Sequence, residues 1–571
     1  MIDLSHSPAE TPPFTLHASP TYALLNRCSR SSAQDRLANV GVDLLSRGLS
    51  DQFEFTVRIF DGLLPQLSYA IPTVNAAAAA LGAIYELQAT SSSTGKSDER
   101  NAVAATQYGL AIKAMQQDLQ IQRFGSVPLL MICMLLACSE LLLRRRSYSL
   151  MHIQAGFKIL EERRATFKLT LPQSDASTPT STSDTPLSDE DEIFLLFRTF
   201  DIHGSTYADR RMPTMPTTHM WSPPAILSDN IDPQTIGLDL ISAIHSCLYF
   251  TSSAGQYKYL PEIHVPSEIL IEQGRHLGIL KAWLARLDRY VMPKSAAAAP
   301  TSKPRVRTHL LMLRNMCLST IIFASTILSP YETAWDDYSW YFEEIIAGAE
   351  EIMSSRERAR SGSPESPRTD RTYSGTADFA FTFTPLPGVI QPLCLTAFKY
   401  RHSTHRRRAA QLIRKAGREG PWIGELVAAV ADRLIEVEES GISPDMQVET
   451  AFCDDINLLD AASGPASIPE SARISGVGMD ANIDRKKVPG THDSRNWTSR
   501  RSGETRARFF KCRDVEAMLE AGTGVRPAKA KVEPEMFADK EVEEDDGSPN
   551  GGRPGWKNER YWEDWNEILE F

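Results

Sequence analysis

The stretch that most constrains this chain is Leu129 to Leu143, fifteen residues that are apolar on nearly every side of a helix and open after Pro128, a residue suited to a first helical turn. A helix without a polar face must be covered by neighbours. Those neighbours are adjacent in sequence. Before it, Tyr108, Ala111, Ile112, Met115 and Leu119 recur at helical spacing, while Lys113, Gln116, Gln117 and Asp118 take the opposite face. After it, a helix capped near Ser149 carries Ile153, Gly156, Phe157 and Leu160 on one stripe, and Gly156 permits a close helix approach. Short polar joints make Ala104 to Arg164 a buried unit of three antiparallel helices. The apolar run is shorter than the ~18 to 20 residues that span a bilayer and contains Glu140, so burial in protein explains it and no membrane association is expected.

Length and charge narrow the class. A chain of 571 residues exceeds one compact core, which leaves several lobes or one extended helical array. A net charge of -11 argues against general nucleic-acid binding by the whole molecule and favours protein partners. The eight cysteines (Cys28, Cys133, Cys138, Cys247, Cys317, Cys394, Cys453 and Cys512) are scattered, several within apolar helical patterns, which is the usage of an intracellular protein with reduced thiols. The first twenty residues lack the basic start and apolar core of a secretory signal, so the Asn496-Trp497-Thr498 sequon is not expected to be glycosylated.

The pattern along the chain is all-α, an irregular array of helical hairpins with long disordered linkers and a disordered C-terminal tail. Residues 1–50 read as a loosely ordered lead-in and 51–440 as the helical domain, interrupted by Ser-, Pro- and charge-rich linkers at about 171–190, 293–304 and 356–376. Phe53 to Leu87 holds two or three short helices, followed by a loop over SSSTGKSDER. Near the end of the domain, Thr404 caps a helix carrying Leu412 and Ile413, and Gly417 and Gly420 end it. Pro421 then opens a helix striped by Ile423, Leu426, Val427, Val430, Leu434 and Val437. Residues 441–571 read as mostly disordered, and no segment shows convincing strand alternation.

Three blocks together resemble the regulatory region of fungal zinc-cluster transcription factors, the fungal-specific transcription factor domain. They are VNAAAAALGAIYELQ; Tyr108, Ala111 and Ile112 followed by PLLMICMLLACSELL and HIQAGFKILEERR; and PLCLTAFKYRHSTHRRRAAQLIRKAGREGPW followed by VAAVADRLIEVEE. The last is the most specific, with an apolar helix, a basic cluster with paired arginines, a Glu-Gly-x-Trp turn and an acidic-ended helix. The resemblance covers about residues 53 to 440. It implies a nuclear regulator of transcription, expected to serve a metabolic or secondary-metabolite gene cluster, with a homo- or hetero-dimer possible. The six closely spaced cysteines that hold two zinc ions in that family have no counterpart here, and no C-x-x-C occurs. Cys133 and Cys138 are five apart on a helix, about 140° around the axis, and cannot chelate one ion. DNA contact is therefore expected only through partners or through a module absent from this sequence, whether naturally or by loss of a first exon.

No hydrolase elbow, P-loop or HExxH motif is present, and Gly476-x-Gly478-x-x-Ala481 lacks a preceding strand pattern. No catalytic residue, metal ligand or cofactor is assigned, and the chain is not expected to be an enzyme. The alternative is a helical small-molecule sensor or enzyme with a site between helices. His152 and His245 read as structural imidazoles, and Glu140 reads as the partner of Arg144 four residues on. The cluster Arg401, Arg406, Arg407, Arg408, Arg414, Lys415 and Arg418 is either a solvated helix face or a nuclear-import or phosphate-contacting patch centred on Arg406, Arg407 and Arg408. Arg485-Lys486-Lys487 is a weaker import candidate.

The end of the chain, residues 555–571, is acidic and aromatic. Trp562, Trp565 and Leu569 share a helical stripe, as do Tyr561, Trp565 and Ile568. Such a segment either lays this face in a coactivator groove or docks back onto the helical body.

Overall fold

The computed structural model describes residues 32–49, 58–89, 97–120, 125–170, 189–206, 213–214, 233–260, 264–291, 304–361, 383–440, 468–480, 504–512, 515–520 and 562–570. Helices dominate, and one continuous apolar core runs through them. The first group contains α1 (Ala33–Leu49), a turn of π-helix, α2 (Leu64–Ala70), α3 (Pro72–Ala89) and α4 (Ser97–Gln120). The alanine run gives α3 high helix propensity and a narrow girth. It is buried from Thr73 to Tyr85, with α1, α4 and α5 (Ser126–Leu142) packed around it. The crossing with α1 requires two glycines. A Cβ on Gly41 would lie 2.1 Å from the Ala78 carbonyl oxygen, and one on Gly82 would lie 2.0 Å from that of Leu37.

Helix α5 is buried from Leu130 onward, as its uniform apolarity requires. It packs on α6 (Arg146–Thr170) and α7 (Asp189–Thr206). Gly156 allows the close approach expected of it, against the Phe197 ring of α7, 2.2 Å from where a Cβ would sit. The amphipathic pattern of α4 is only partly kept: Ala104 and Ala111 are buried, but Leu119, placed on the apolar stripe, is 48% exposed.

The second group packs α8 (Pro233–Ala254), α9 (Ser267–Val291) and α11 (Ser339–Ser361) around α10 (Pro304–Thr326), whose stretch Leu310–Ile322 is almost wholly buried. Arg314 of α10, itself buried, holds Asp288 at 2.7 Å and Glu344 at 2.8 Å, tying α9 and α11 to it. A 3-10 turn, Glu332–Tyr338, precedes α11. The third group is α12 (Ile390–Lys399), α13 (Ser403–Lys415) and α14 (Gly424–Ser440). Leu426, Val427, Val430 and Leu434 of the α14 stripe are buried, and Ile423 and Val437 are half-buried against the core.

Several expectations are corrected. The lead-in contains α1, whose Leu37, Val42 and Leu45 enter the core. Helix α4 begins at Ser97, inside the expected loop, and α11 runs to Ser361, into the linker placed at 356–376. Ser149 lies within α6 and is buried, and α13 begins at Ser403 after an extended His402. Strands do occur. Phe383–Thr384 (β1), Arg418–Glu419 (β2) and Trp422–Ile423 (β3) form a small sheet in the order β1-β2-β3, so Pro421 sits in a hairpin turn and α14 opens at Gly424. Gly476–Asp480 (β4), Glu504–Cys512 (β5) and Trp562–Glu570 (β6) form an antiparallel sheet from the supposed tail. Met479, Ala507 and Phe509 join the main core, while Cys512 and Val515 pack with Tyr259 and Tyr331. No single helix among the described residues is long and apolar enough to cross a membrane.

Candidate functional site

The chemistry-bearing residues converge where α12, α13 and α14 meet the 3-10 turn. The Glu-Gly-x-Trp turn organises this region. Gly420 takes φ +55° at the hairpin corner, and its N–H donates to the Thr384 carbonyl at 2.6 Å. The buried Glu419 carboxylate beside it accepts the N–H groups of Val389 (3.0 Å) and Ile390 (2.8 Å), capping α12 with the charge its N-terminus favours. Gly388 makes room, since a Cβ there would meet this carboxylate at 1.9 Å. Arg418 points the other way and donates to the carbonyls of Leu141 and, at 3.3 Å, Leu142, at the end of α5.

Behind this turn lies a buried cluster of charges. Glu332 receives Lys399 (2.6 Å), Arg401 (3.2 Å) and Lys258 (3.3 Å), and Glu438 receives Arg406 (2.7 Å) and Arg401 (3.0 Å). Burial opposes ionisation of both acids, but Lys399, Lys258 and Arg401 hold the Glu332 carboxyl well below the usual range, and Arg401 with Arg406 lowers that of Glu438. Burial pulls Lys399 down to about 7, against the attraction of Glu332. Its ammonium nonetheless has three close acceptors, because it also donates to the carbonyls of Ile474 and Ser475 at 3.0 Å each.

Those carbonyls belong to Ile468–Ser475, a strap that leads into β4. The Ile474 N–H donates to Glu438 at 2.7 Å, and its carbonyl also accepts from Arg401 at 3.2 Å. The Glu470 carboxylate accepts the N–H groups of Glu332 (2.6 Å) and Thr333 (2.8 Å), capping the 3-10 turn. Arg473 grips Asp336 with two nitrogens, each 2.8 Å from a carboxylate oxygen. Fixed charges thus hold a 3-10 turn, Glu470–Ala472, and the extended backbone that follows it from Arg473.

The arginines read as an import or phosphate patch are divided by the structure. Arg406 is fully buried on Glu438 and can be neither an import signal nor a solvated residue. Arg407 and Arg408 are exposed and paired with Glu439 (2.5 Å) and Glu350 (2.6 Å), and Arg414 pairs with Asp432 (2.5 Å). Arg485, Lys486 and Lys487 lie outside the described residues. Glu332, Lys258, Asp336, Glu470 and Arg473 escaped the sequence reading, because nothing local marks a charge whose partner lies scores of residues away.

The acidic, aromatic end is not a helix. Residues 562–570 pair with β5, Trp562 opposite Cys512 and Leu569 opposite Thr505, so the i, i+3, i+7 stripe expected of Trp562, Trp565 and Leu569 does not form. Leu569 packs against the main core, as docking back onto the body requires. Trp565 and Ile568 are within the strand, and Tyr561 lies outside the described residues.

A smaller polar group lies between α4, α5 and α6. Tyr108 Oη donates to Glu140 Oε1 at 2.5 Å and lies 3.2 Å from His152 Nε2. Burial raises the pKa of Glu140 and lowers that of His152 to about 4. The expected Glu140–Arg144 pair is not formed: α5 ends at Leu142 and Arg144 turns to φ +59°, so the helical spacing does not apply. His245 Nε2 lies 2.9 Å from Oδ2 of the fully buried Asp201. The six described cysteines are buried, and burial pushes the Cys133 and Cys247 thiols up to about 12. Among the described residues, no group of three or more His, Cys, Asp or Glu side chains is placed to hold a metal ion.

Comparison with family models, with curated proteins and with solved structures finds no match to this chain.

Proposed function

We propose that the chain is a transcription regulator, serving a fungal metabolic or secondary-metabolite gene cluster from the nucleus and acting through protein partners. The observation that carries this reading is where the most specific family-like block falls. Arg406 and Glu438 form a buried pair, Glu419 caps α12, Gly420 turns the hairpin and Trp422 is buried beside them. The residues that carry the resemblance thus lie together in the buried part of the described body, which supports the reading. A surface that grips a backbone with fixed charges also suits binding better than turnover. Chromatin immunoprecipitation beside affinity purification tests the reading, and absence of both promoter occupancy and a nuclear partner overturns it.

A second reading, a small-molecule sensor, is favoured by the Tyr108–Glu140–His152 group. There Glu140 Oε2 is buried without a hydrogen-bond partner, as is Ser149 Oγ of α6. A thermal-shift screen of polar metabolites tests it. Stabilisation that disappears in Glu140→Gln supports sensing, and no stabilisation across the screen defeats it.

A further inference from the structure

The sharp corner between α5 and α6 sets a buried acid beside an open apolar rim. Arg144 turns the chain at φ +59°, so the Arg145 N–H donates back to the Glu140 carbonyl at 2.9 Å and α6 packs along α5. Tyr148 and His152 stand one turn apart on one face of α6. His152 Nε2 meets Tyr108 Oη, which in turn bonds Glu140 Oε1. Glu140 is 2% exposed, and its Oε2 has no hydrogen-bond partner. Neither protonation state of the carboxyl satisfies that oxygen from within the chain, and a buried oxygen left so is costly. Arg145 eases the charge on Glu140, yet burial still leaves its pKa raised, so the compensation is incomplete. A protonated amine supplies both the missing donor and the missing charge, whereas water or an alcohol supplies only the donor.

The rim supplies the other half of such a ligand's chemistry. Tyr148 is 56% exposed and near enough to Tyr108 for their charges to interact, and Met151, three residues further along α6, is 51% exposed. A tyrosine ring and a thioether both receive an apolar or aromatic body, and the face of the ring also attracts a cation. Granted the sensor reading, on which this rests, we propose that the corner binds a small primary amine with an apolar body, its ammonium on Glu140 Oε2 and its body against Tyr148 and Met151. The same ammonium occurs in a simple arylalkylamine and in an apolar α-amino acid. In the amino acid, Arg145 is the cation beside Glu140 that would take the α-carboxylate.

Titration calorimetry of the full-length chain near neutral pH tests this with phenethylamine and isoamylamine as amines, phenylalanine as the amino acid and phenethyl alcohol as the neutral counterpart. At least one amine or the amino acid is expected to bind saturably, and the alcohol at least about tenfold more weakly than phenethylamine or phenylalanine. Glu140→Gln should weaken the ammonium ligands at least about tenfold, the worth of a charged hydrogen bond. Phenylalanine tighter than phenethylamine assigns the carboxylate to Arg145, and the reverse order assigns a simple amine. Tyr148→Ala changes only the rim and should weaken binding several-fold, so the test stands even where Glu140→Gln does not fold. No binding by any of the three ammonium probes, affinity no better than that of the alcohol, or affinity unchanged in a folded Glu140→Gln or in Tyr148→Ala overturns the proposal. The sensor reading survives that result if another metabolite in the thermal-shift screen stabilises the wild type and not Glu140→Gln, and falls with it if none does.

Discussion

Arg406→Ala tests whether the basic cluster is architecture or address. Arg406 is fully buried with its Nη2 on Glu438 at 2.7 Å, whereas the Arg407 and Arg408 side chains are 46% and 44% exposed and paired at the surface. Breaking a buried pair costs about 3 to 5 kcal/mol, because it strands the remaining charge. Two features reduce this. Glu438 keeps Arg401 and the Ile474 N–H, and truncation removes the Nε and Nη1 donors of Arg406 that are buried without partners. The expected loss is therefore about 2 to 3 kcal/mol, or roughly 2 to 6 °C in the thermal midpoint of so large a body. Screened surface pairs are worth about 0 to 1 kcal/mol, so Arg407→Ala and Arg408→Ala should leave the melt nearly unchanged. Circular dichroism melts of the three variants decide it. An Arg406→Ala midpoint equal to that of Arg407→Ala refutes the buried-pair account. Nuclear import is then to be tested with the Arg407→Ala/Arg408→Ala variant, which separates targeting from folding.

Three further outcomes follow from the geometry. Gly156→Ala drives a methyl group into the Phe197 ring and should cost about 1 to 3 kcal/mol, with recovery in Gly156→Ala/Phe197→Leu; a neutral single variant means that the α6–α7 contact is looser than described. Glu419→Gln replaces one acceptor oxygen with an amide donor and leaves a backbone N–H of α12 unpaired, an expected loss of about 1 to 3 kcal/mol, measured by chemical denaturation and by faster hydrogen exchange at residues 389–392. Burial lowers His152, His203 and His276 from 6.5 to about 4, so below the unfolded value the unfolded chain takes up protons that the folded chain refuses. Stability should fall as pH drops from about 6.5 to 4, by up to about 1.4 kcal/mol per pH unit for each histidine, and His152→Gln should flatten that slope.

What was legible in the sequence is what a local period encodes. The uniform apolarity of α5, the alanine run of α3 and the stripe of α14 each declare a buried helix within a few turns, and each is one. Gly156 declared a close approach, but not that Phe197, forty-one residues on, would make it. Charges mislead for the same reason. Arg406 has its counter-charge 32 residues away and Lys399 has Glu332 67 residues away, so each reads locally as solvated. The strands were missed because β1, β2 and β3 are two residues long and too short to alternate. In β6 the same residues fit a helical stripe, and only pairing with β5 decides between the two forms.

The bond from Arg418 to the end of α5 also sets a schedule for synthesis. Its donor and the Leu142 carbonyl are 276 residues apart. At about 5 to 20 residues per second, roughly 15 to 55 s pass between their emergence from the ribosome. During that interval the first helical group is complete in sequence, yet the carbonyls that close α5 lack the guanidinium that will cap them, and α12 to α14 are still being made. The nascent chain must carry that apolar face through a long wait, until its C-terminal block is made.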